Sequence, residues 1–246
     1  MNTMTKIMIA VTIVTAVLSV PVVATAGNLT EADKAHLIFM RSEEKLARDV
    51  YLTLAEIYPN QPVFLSIATK AEQTHTDKML DMLIKFKIED PEPSTEPDNL
   101  PPENQIGVFE NYYFAEYFTY KFEGLISTAS RGELEALNVG ALIEELDMSD
   151  INYCNAAFYE YYPKELPPYP DCGGLSATEI RSLINSLGNL LAGSENHLCA
   201  FISQIGPMIF PADCYECQYL SQQEVWDIVD AQCPEFSSYV CDPEQH

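Results

Sequence analysis

The chain has 246 residues, with 13 lysines and arginines against 37 aspartates and glutamates, a formal charge of −24 at pH 7. That length is enough for one substantial core. A surface this acidic repels nucleic acid and anionic lipid, so neither is expected as a partner, while cations are attracted.

The first 26 residues read as a secretion signal. Lys6 gives a short positive start, Ile7 to Val20 is an apolar run, Pro21 breaks it, and Ala24-Thr25-Ala26 offers a small-x-small cleavage site before Gly27. An uncleaved anchor is the alternative. No later segment is apolar for the roughly 20 residues that span a bilayer, so no membrane association is expected once the signal is removed. Removing Lys6 and no acid leaves a charge of about −25. The expected location is exported: periplasmic, cell-surface or extracellular. Residues 27–246 are expected to form a single helical domain.

Thr30-Glu31-Ala32-Asp33 resembles a capping box and opens a helix that runs to Tyr58 without Gly or Pro. Pro62 suits the first turn of a second helix, which ends near Ile88. Residues 89–108 are acidic and Pro-rich and read as an extended crossover linker. An aromatic segment, FENYYFAEYFTYKFEGLI, follows and is predicted helical. Ser130 to Glu133 is predicted to cap the helix GELEALNVGALIEELDMSDI. Residues 152–175 read as an irregular Pro/Tyr-rich insert, and Ser176-Ala-Thr-Glu179 as the cap of a helix ending near Gly206. The tail, 207–246, carries SQQEVWDIV as a short helix. No segment sustains period-2 alternation. The predicted class is all-α: four long helices with a long connection between the second and third, the connectivity of ferritin-like bundles.

Positions three or four apart share a helix face. One stripe in the first helix is Leu37, Met40, Glu44, Ala47, Tyr51 and Leu54. One in the second is Leu65, Ala68, Glu72, His75, Met79, Met82 and Phe86. In the third, Leu137, Gly140, Ala141, Glu144, Met148 and Ile151 compete with a row through Glu145. In the last, His197 interrupts Leu183, Leu187, Leu190, Ser194 and Phe201. Glu43, Lys45 and Asp49 read as surface positions. Arg48 is the obvious basic neighbour of these acids. Each long helix thus turns a carboxylate or imidazole inward, and buried carboxylates require donors or cations. Di-iron and di-manganese bundles use one Glu from each of two helices and Glu-x-x-His from each of the other two. The order Glu44, Glu72-x-x-His75, Glu144 (or Glu145), Ser194-x-x-His197 matches that arrangement except at Ser194.

Seven cysteines, at 154, 172, 199, 214, 217, 233 and 241, all lie in the second half. In an exported chain they are expected to pair. Cys154 and Cys172 bracket the insert, and Cys199, inside a helical pattern, is the candidate free thiol. Cys214-Tyr-Glu-Cys217 has no second CxxC or neighbouring His to complete a zinc site.

The stretches RSEEKLARDVYLTL, AEQTHTDKML, LNVGALIEELDMSDI, GSENHLCAF and QYLSQQEV together resemble a family of ferritin-like proteins that carries a domain of unknown function. The resemblance runs from about Leu37 to Val225. It implies a ferritin-like bundle with a di-metal centre and no established reaction. A more distant similarity is to rubrerythrins. It rests on Glu44, Ala47 and Arg48 in the first helix and on Gly140, Glu144, Asp147 and Met148 in the third, and it favours Glu144 over Glu145. Ser194 departs from the rubrerythrin pattern. With one CxxC, no rubredoxin-like iron domain is expected.

The expected ligands are therefore Glu44, Glu72, His75, Glu144 and His197, with Glu72 bridging and Glu144 a second candidate bridge. They would bind iron, with room for two ions, or manganese. Chemistry at such a site would be that of a di-iron oxidoreductase: Fe(II) oxidation, or reduction of O₂ or peroxide at the metals, with that small oxidant as a partner. Tyr51 is a candidate radical or proton partner. The alternative is a non-catalytic secreted scaffold or binding protein with a structural metal. A homo-oligomer is compatible with either.

Overall fold

The computed structural model describes residues 29–92, 105–153, 156–161, 173–210 and 212–243. The segment expected to be a secretion signal, Cys154, Cys172 and most of the Pro-rich linker lie outside them. Helix α1 is Glu31–Ile57, opened by the expected capping box between Thr30 and Asp33. Helix α2 spans residues 62–86 in three continuous pieces: Pro62–Ile67, a π-helical turn Ala68–Glu72, and Gln73–Phe86. Helix α3 is Ala115–Ala129, α4 is Glu133–Asn152, α5 is Ala156–Tyr161, α6 is Arg181–Ile209 and α7 is Gln222–Gln232. A 3₁₀ turn, Pro234–Tyr239, follows. The described residues are all-helical apart from one isolated parallel bridge between Tyr215 and Val240. None of their helices is long and apolar enough to cross a membrane.

Helix α1 packs on α2, α3 and α4, and α4 lies along α6. The expected core stripes of α1, α4 and α6 are all buried. The stripe on α2 holds from Ala68 to Met82 but fails at Leu65, which is 52% exposed while Phe64 is buried instead. The π turn accounts for this. It takes one residue more than an α turn, and each added residue rotates the following face by about 100°.

Several local expectations need correction. Ser130 and Ser176 do not cap helices. Ser130 Oγ donates back to Ile126 O, Ser176 Oγ donates to Asn152 O, and α6 begins only at Arg181 after Thr178 Oγ1 accepts from Ile180 N–H. Helix α6 runs three residues past Gly206 and accommodates Pro207 in its last turn. The insert is not wholly irregular. It carries α5, whose Phe158 is buried against Phe39 and Phe114.

Glu43, Lys45 and Asp49 are not surface residues: none is more than 8% exposed. The chain before and after the Pro-rich linker lies across the outer face of α1. Arg41 makes a paired contact with Asp90 at 3.0 and 3.1 Å and donates to Thr76 O. Ser42 Oγ donates to Glu92 at 2.6 Å and accepts from Asn111 at 2.7 Å. Lys45 pairs with Asp49 and donates to Gln105 O. Asp49 also accepts from Gly107 N–H and from Arg48, whose Nη1 donates to Gln73. Arg48 therefore neutralises none of the inward-facing acids.

Cys199 is not free. It bonds Cys233, tying α6 to the end of α7, and Cys214 bonds Cys241. Among the described cysteines, Cys217 is the free thiol.

Candidate metal centre

The inner face of α1 presents Glu44, fully buried. Helix α2 brings Glu72 at the end of its π turn and His75 three residues later, so the turn sets the direction of both. Helix α4 brings Glu144 and α6 brings His197. All five expected residues meet in the core. The ligand atoms of Glu44, Glu72 and His75 lie within 4.8 Å of one another, as do those of Glu72, Glu144 and His197. Either group could hold a metal ion.

The two groups share Glu72, one oxygen to each side. Its Oε2 lies 3.4 Å from His75 Nδ1, and its Oε1 lies 2.9 Å from His197 Nδ1. His75 Nδ1 is also 3.3 Å from Glu44 Oε2, and His197 Nδ1 is 3.3 Å from Glu144 Oε2. The result is two half-sites of similar composition joined by one carboxylate. The imidazole rings sit 5.5 Å apart between centroids. The carboxylate side chains are at most 2% exposed and the imidazoles 10%, so solvent meets the cluster along its histidine edge.

The polar atoms converge without satisfying one another. Both oxygens of Glu44 and Nδ1 of His75 are buried without hydrogen-bond geometry to any partner. Buried polar atoms in folded proteins are nearly always bonded, and these converge where one shared cation could satisfy them. The donor set, hard carboxylate oxygens with imidazole nitrogen, suits such an ion.

Burial pushes Glu44 up to about 7, against the pull of His75. Burial also raises Glu144. Burial works the same way on Glu72, but the flanking imidazoles of His75 and His197 outweigh it and hold that carboxyl below the usual range. Burial would lower both histidines. Glu72 and Glu44 overcome it at His75, and Glu144 and Glu72 lift His197 to about 10. Without a metal, protons shared between imidazole and carboxylate carry the charge balance.

Glu144 and Glu145 face different ways. Glu144 Oε1 accepts from Tyr51 Oη at 2.6 Å, leaving Oε2 toward His197. Glu145 instead anchors the tail. It accepts from Tyr215 Oη and from the backbone N–H groups of Gln218, Tyr219 and Leu220. Tyr51 also lies 3.2 Å from Gly140 O, where the missing Cβ leaves room for Phe201.

Sequence reasoning missed two acids. Asp147, 4% exposed, accepts from Ser194 Oγ through Oδ2, while its Oδ1 has no partner. Burial and the repulsion of Glu44, Glu144 and Glu72 raise it well above the ordinary range. It meets Ser194, the α6 residue at which the sequence departs from the template, and it comes from α4. The signal was the spacing Glu144-x-x-Asp147 on one face. Glu43 is the other, hydrogen-bonded to Asp150 and raised by burial and by that neighbour. The sequence reads it as surface because nothing local shows that α4 lies against that side of α1.

Fold and site thus define a class: an all-helical protein whose core holds two linked Glu/His groups able to take a metal ion. The particular family follows from comparison. Residues 33–158 match the uncharacterised protein domain DUF2202, and the chain belongs to that family. It is 32% identical over 203 residues to the uncharacterised protein MJ0754 of Methanocaldococcus jannaschii, covering 82% of this chain and 89% of that protein. The crystal structure of the hypothetical protein MJ0754 aligns with a TM-score of 0.62 over 82% of this chain and 93% of that one.

Proposed function

We propose that this protein is an exported, ferritin-like metal-binding protein whose four-helix core holds two iron or manganese ions. Glu44 and His75 would hold one ion, Glu144 and His197 the other, and Glu72, which faces both histidines, would serve both. Asp147, steadied by Ser194, supplies the further carboxylate that the sequence of α6 lacks. The observation that carries this reading is the set of converging, buried and unsatisfied atoms on Glu44 and His75, beside a carboxylate that faces one imidazole with each oxygen. The two disulfides between described residues are consistent with an oxidising compartment.

Bound iron would supply electrons for oxidation by O₂ or peroxide. The chain's own contribution is to exclude water from the carboxylates and to hold a proton-bearing group, Tyr51 Oη, against Glu144. Burial and the Glu144 charge raise Tyr51 well above the ordinary phenol range, so it stays protonated. The near-complete burial of the carboxylates favours a second reading, since closed sites are typical of structural metals. In that reading the protein is a non-catalytic scaffold.

Metal analysis of purified protein tests the first step. About two ions per chain, lost in Glu72→Ala, support the site, and protein that stays metal-free after reconstitution with Fe(II) or Mn(II) contradicts it. O₂ uptake on adding Fe(II) then separates catalyst from scaffold.

A further inference from the structure

We propose that Gly193 is a positioning residue for the half-site around His75. Lacking a Cβ, it lets α6 lie against the outer edge of that imidazole, so that Nδ1 is presented to Glu44 and Glu72. This inference rests on the metal-binding reading above and assigns part of that site to a residue with no ligand atom.

A Cβ placed on Gly193 would lie 2.5 Å from His75 Nε2 and 2.6 Å from Cε1. Ordinary contact between such atoms is about 3.5 Å, so an alanine forces the ring or the helix back by about 1 Å. Metal–ligand distances tolerate only about 0.2 Å. The ring has little freedom to absorb the shift. It is 8% exposed, its Nδ1 faces two carboxylates, and the His197 ring lies 5.5 Å away.

Backbone conformation does not require this glycine. The positive-φ glycines among the described residues are Gly107 and Gly174, and Gly193 sits inside regular helix. There a glycine costs about 0.5–1 kcal/mol relative to alanine. Gly188, five residues earlier on the same helix, has open space around it and serves as the control. Helix α6 therefore serves both half-sites, with the imidazole of His197 in one and the seat for the imidazole of His75 in the other.

The test is Mn(II) titration of metal-stripped full-length protein, by calorimetry and by electron paramagnetic resonance counting of bound ions. It compares wild type, Gly193→Ala, Gly188→Ala, His75→Ala and the double variant Gly193→Ala/His75→Ala. Wild type and Gly188→Ala are expected to bind two ions alike. Gly193→Ala should keep one ion at wild-type affinity and bind the other at least about tenfold more weakly. Adding Gly193→Ala to His75→Ala should change nothing further, because both act on one ring. Two ions at wild-type affinity in Gly193→Ala, equal weakening of both ions, or additive effects in the double variant would each overturn the proposal while leaving the metal reading intact. Wild-type protein that binds no Mn(II) would overturn both.

Discussion

The two faces of α1 are equally buried and oppositely solved. On the outer face, Arg41, Lys45, Arg48 and Asp49 are closed into ion pairs and hydrogen bonds that also pin the crossover strand. On the inner face, Glu44 has no hydrogen bond to either oxygen, and the basic groups that face Glu44, Glu72 and Glu144 are two histidines. Burying a charge is costly on either face. The outer face offsets that cost with residues of its own, and on the inner face the proposed metal ion offsets it. Burial alone therefore does not mark a functional site. Burial with unsatisfied, converging ligand atoms does.

The largest effect expected from breaking this contrast is on the outer face. Lys45→Ala leaves Asp49 buried with one partner fewer. It should cost about 3–5 kcal/mol in chemical denaturation without changing metal content. A loss of bound metal at unchanged stability would reverse the roles of the two faces.

Glu44→Gln probes the inner face and carries the opposite sign. In metal-stripped protein at pH 8 it removes a buried charge whose desolvation outweighs the pull of His75 and should stabilise by about 1–3 kcal/mol, while the metal-loaded form loses an ion. Destabilisation of the stripped protein would show that Glu44 is already satisfied.

The pH dependence follows from the same groups. His197 is raised from 6.5 to about 10, so its contribution is complete below 6.5 and is lost as pH rises through 10. Glu44, raised from 4.5 to about 7, favours its neutral folded form, so stability also falls as pH rises from 4.5 to 7. The melting temperature of stripped protein should therefore decline with rising pH. Metal affinity should increase over the same range, because binding displaces those protons. Parallel trends would contradict this. The smallest effect is at Ser194→Ala, which removes one hydrogen bond to Asp147 and should cost about 1 kcal/mol of stability in the loaded protein.

Periodicity made much of this legible. The stripes through Glu44 and His197 placed those residues on buried faces, because α1 and α6 are regular helices on which a spacing of three or four residues fixes direction, whereas on α4 two rows competed, both Glu144 and Glu145 are buried, and only the resemblance favoured Glu144. On α2 it held from Ala68 to Met82 and failed at Leu65, ahead of a π turn that leaves no mark in composition. The sequence could not show that α1 is covered on its outer face as well, because the cover is irregular chain far along in sequence. It could not show Asp147 standing opposite Ser194, because that substitution exchanges one helix for another in space. Cys199 was misread for a similar reason: its partner, Cys233, lies beyond a turn whose path only the tertiary fold determines.

The most direct measurement is the metal content of purified protein beside Glu72→Ala, by elemental analysis after reconstitution with Fe(II) or Mn(II). Because Glu72 offers one oxygen to each half-site, the account predicts about two ions per chain in the wild type and loss of both from this single substitution. A wild type that takes up no metal, or a Glu72→Ala variant that keeps both ions, would contradict it.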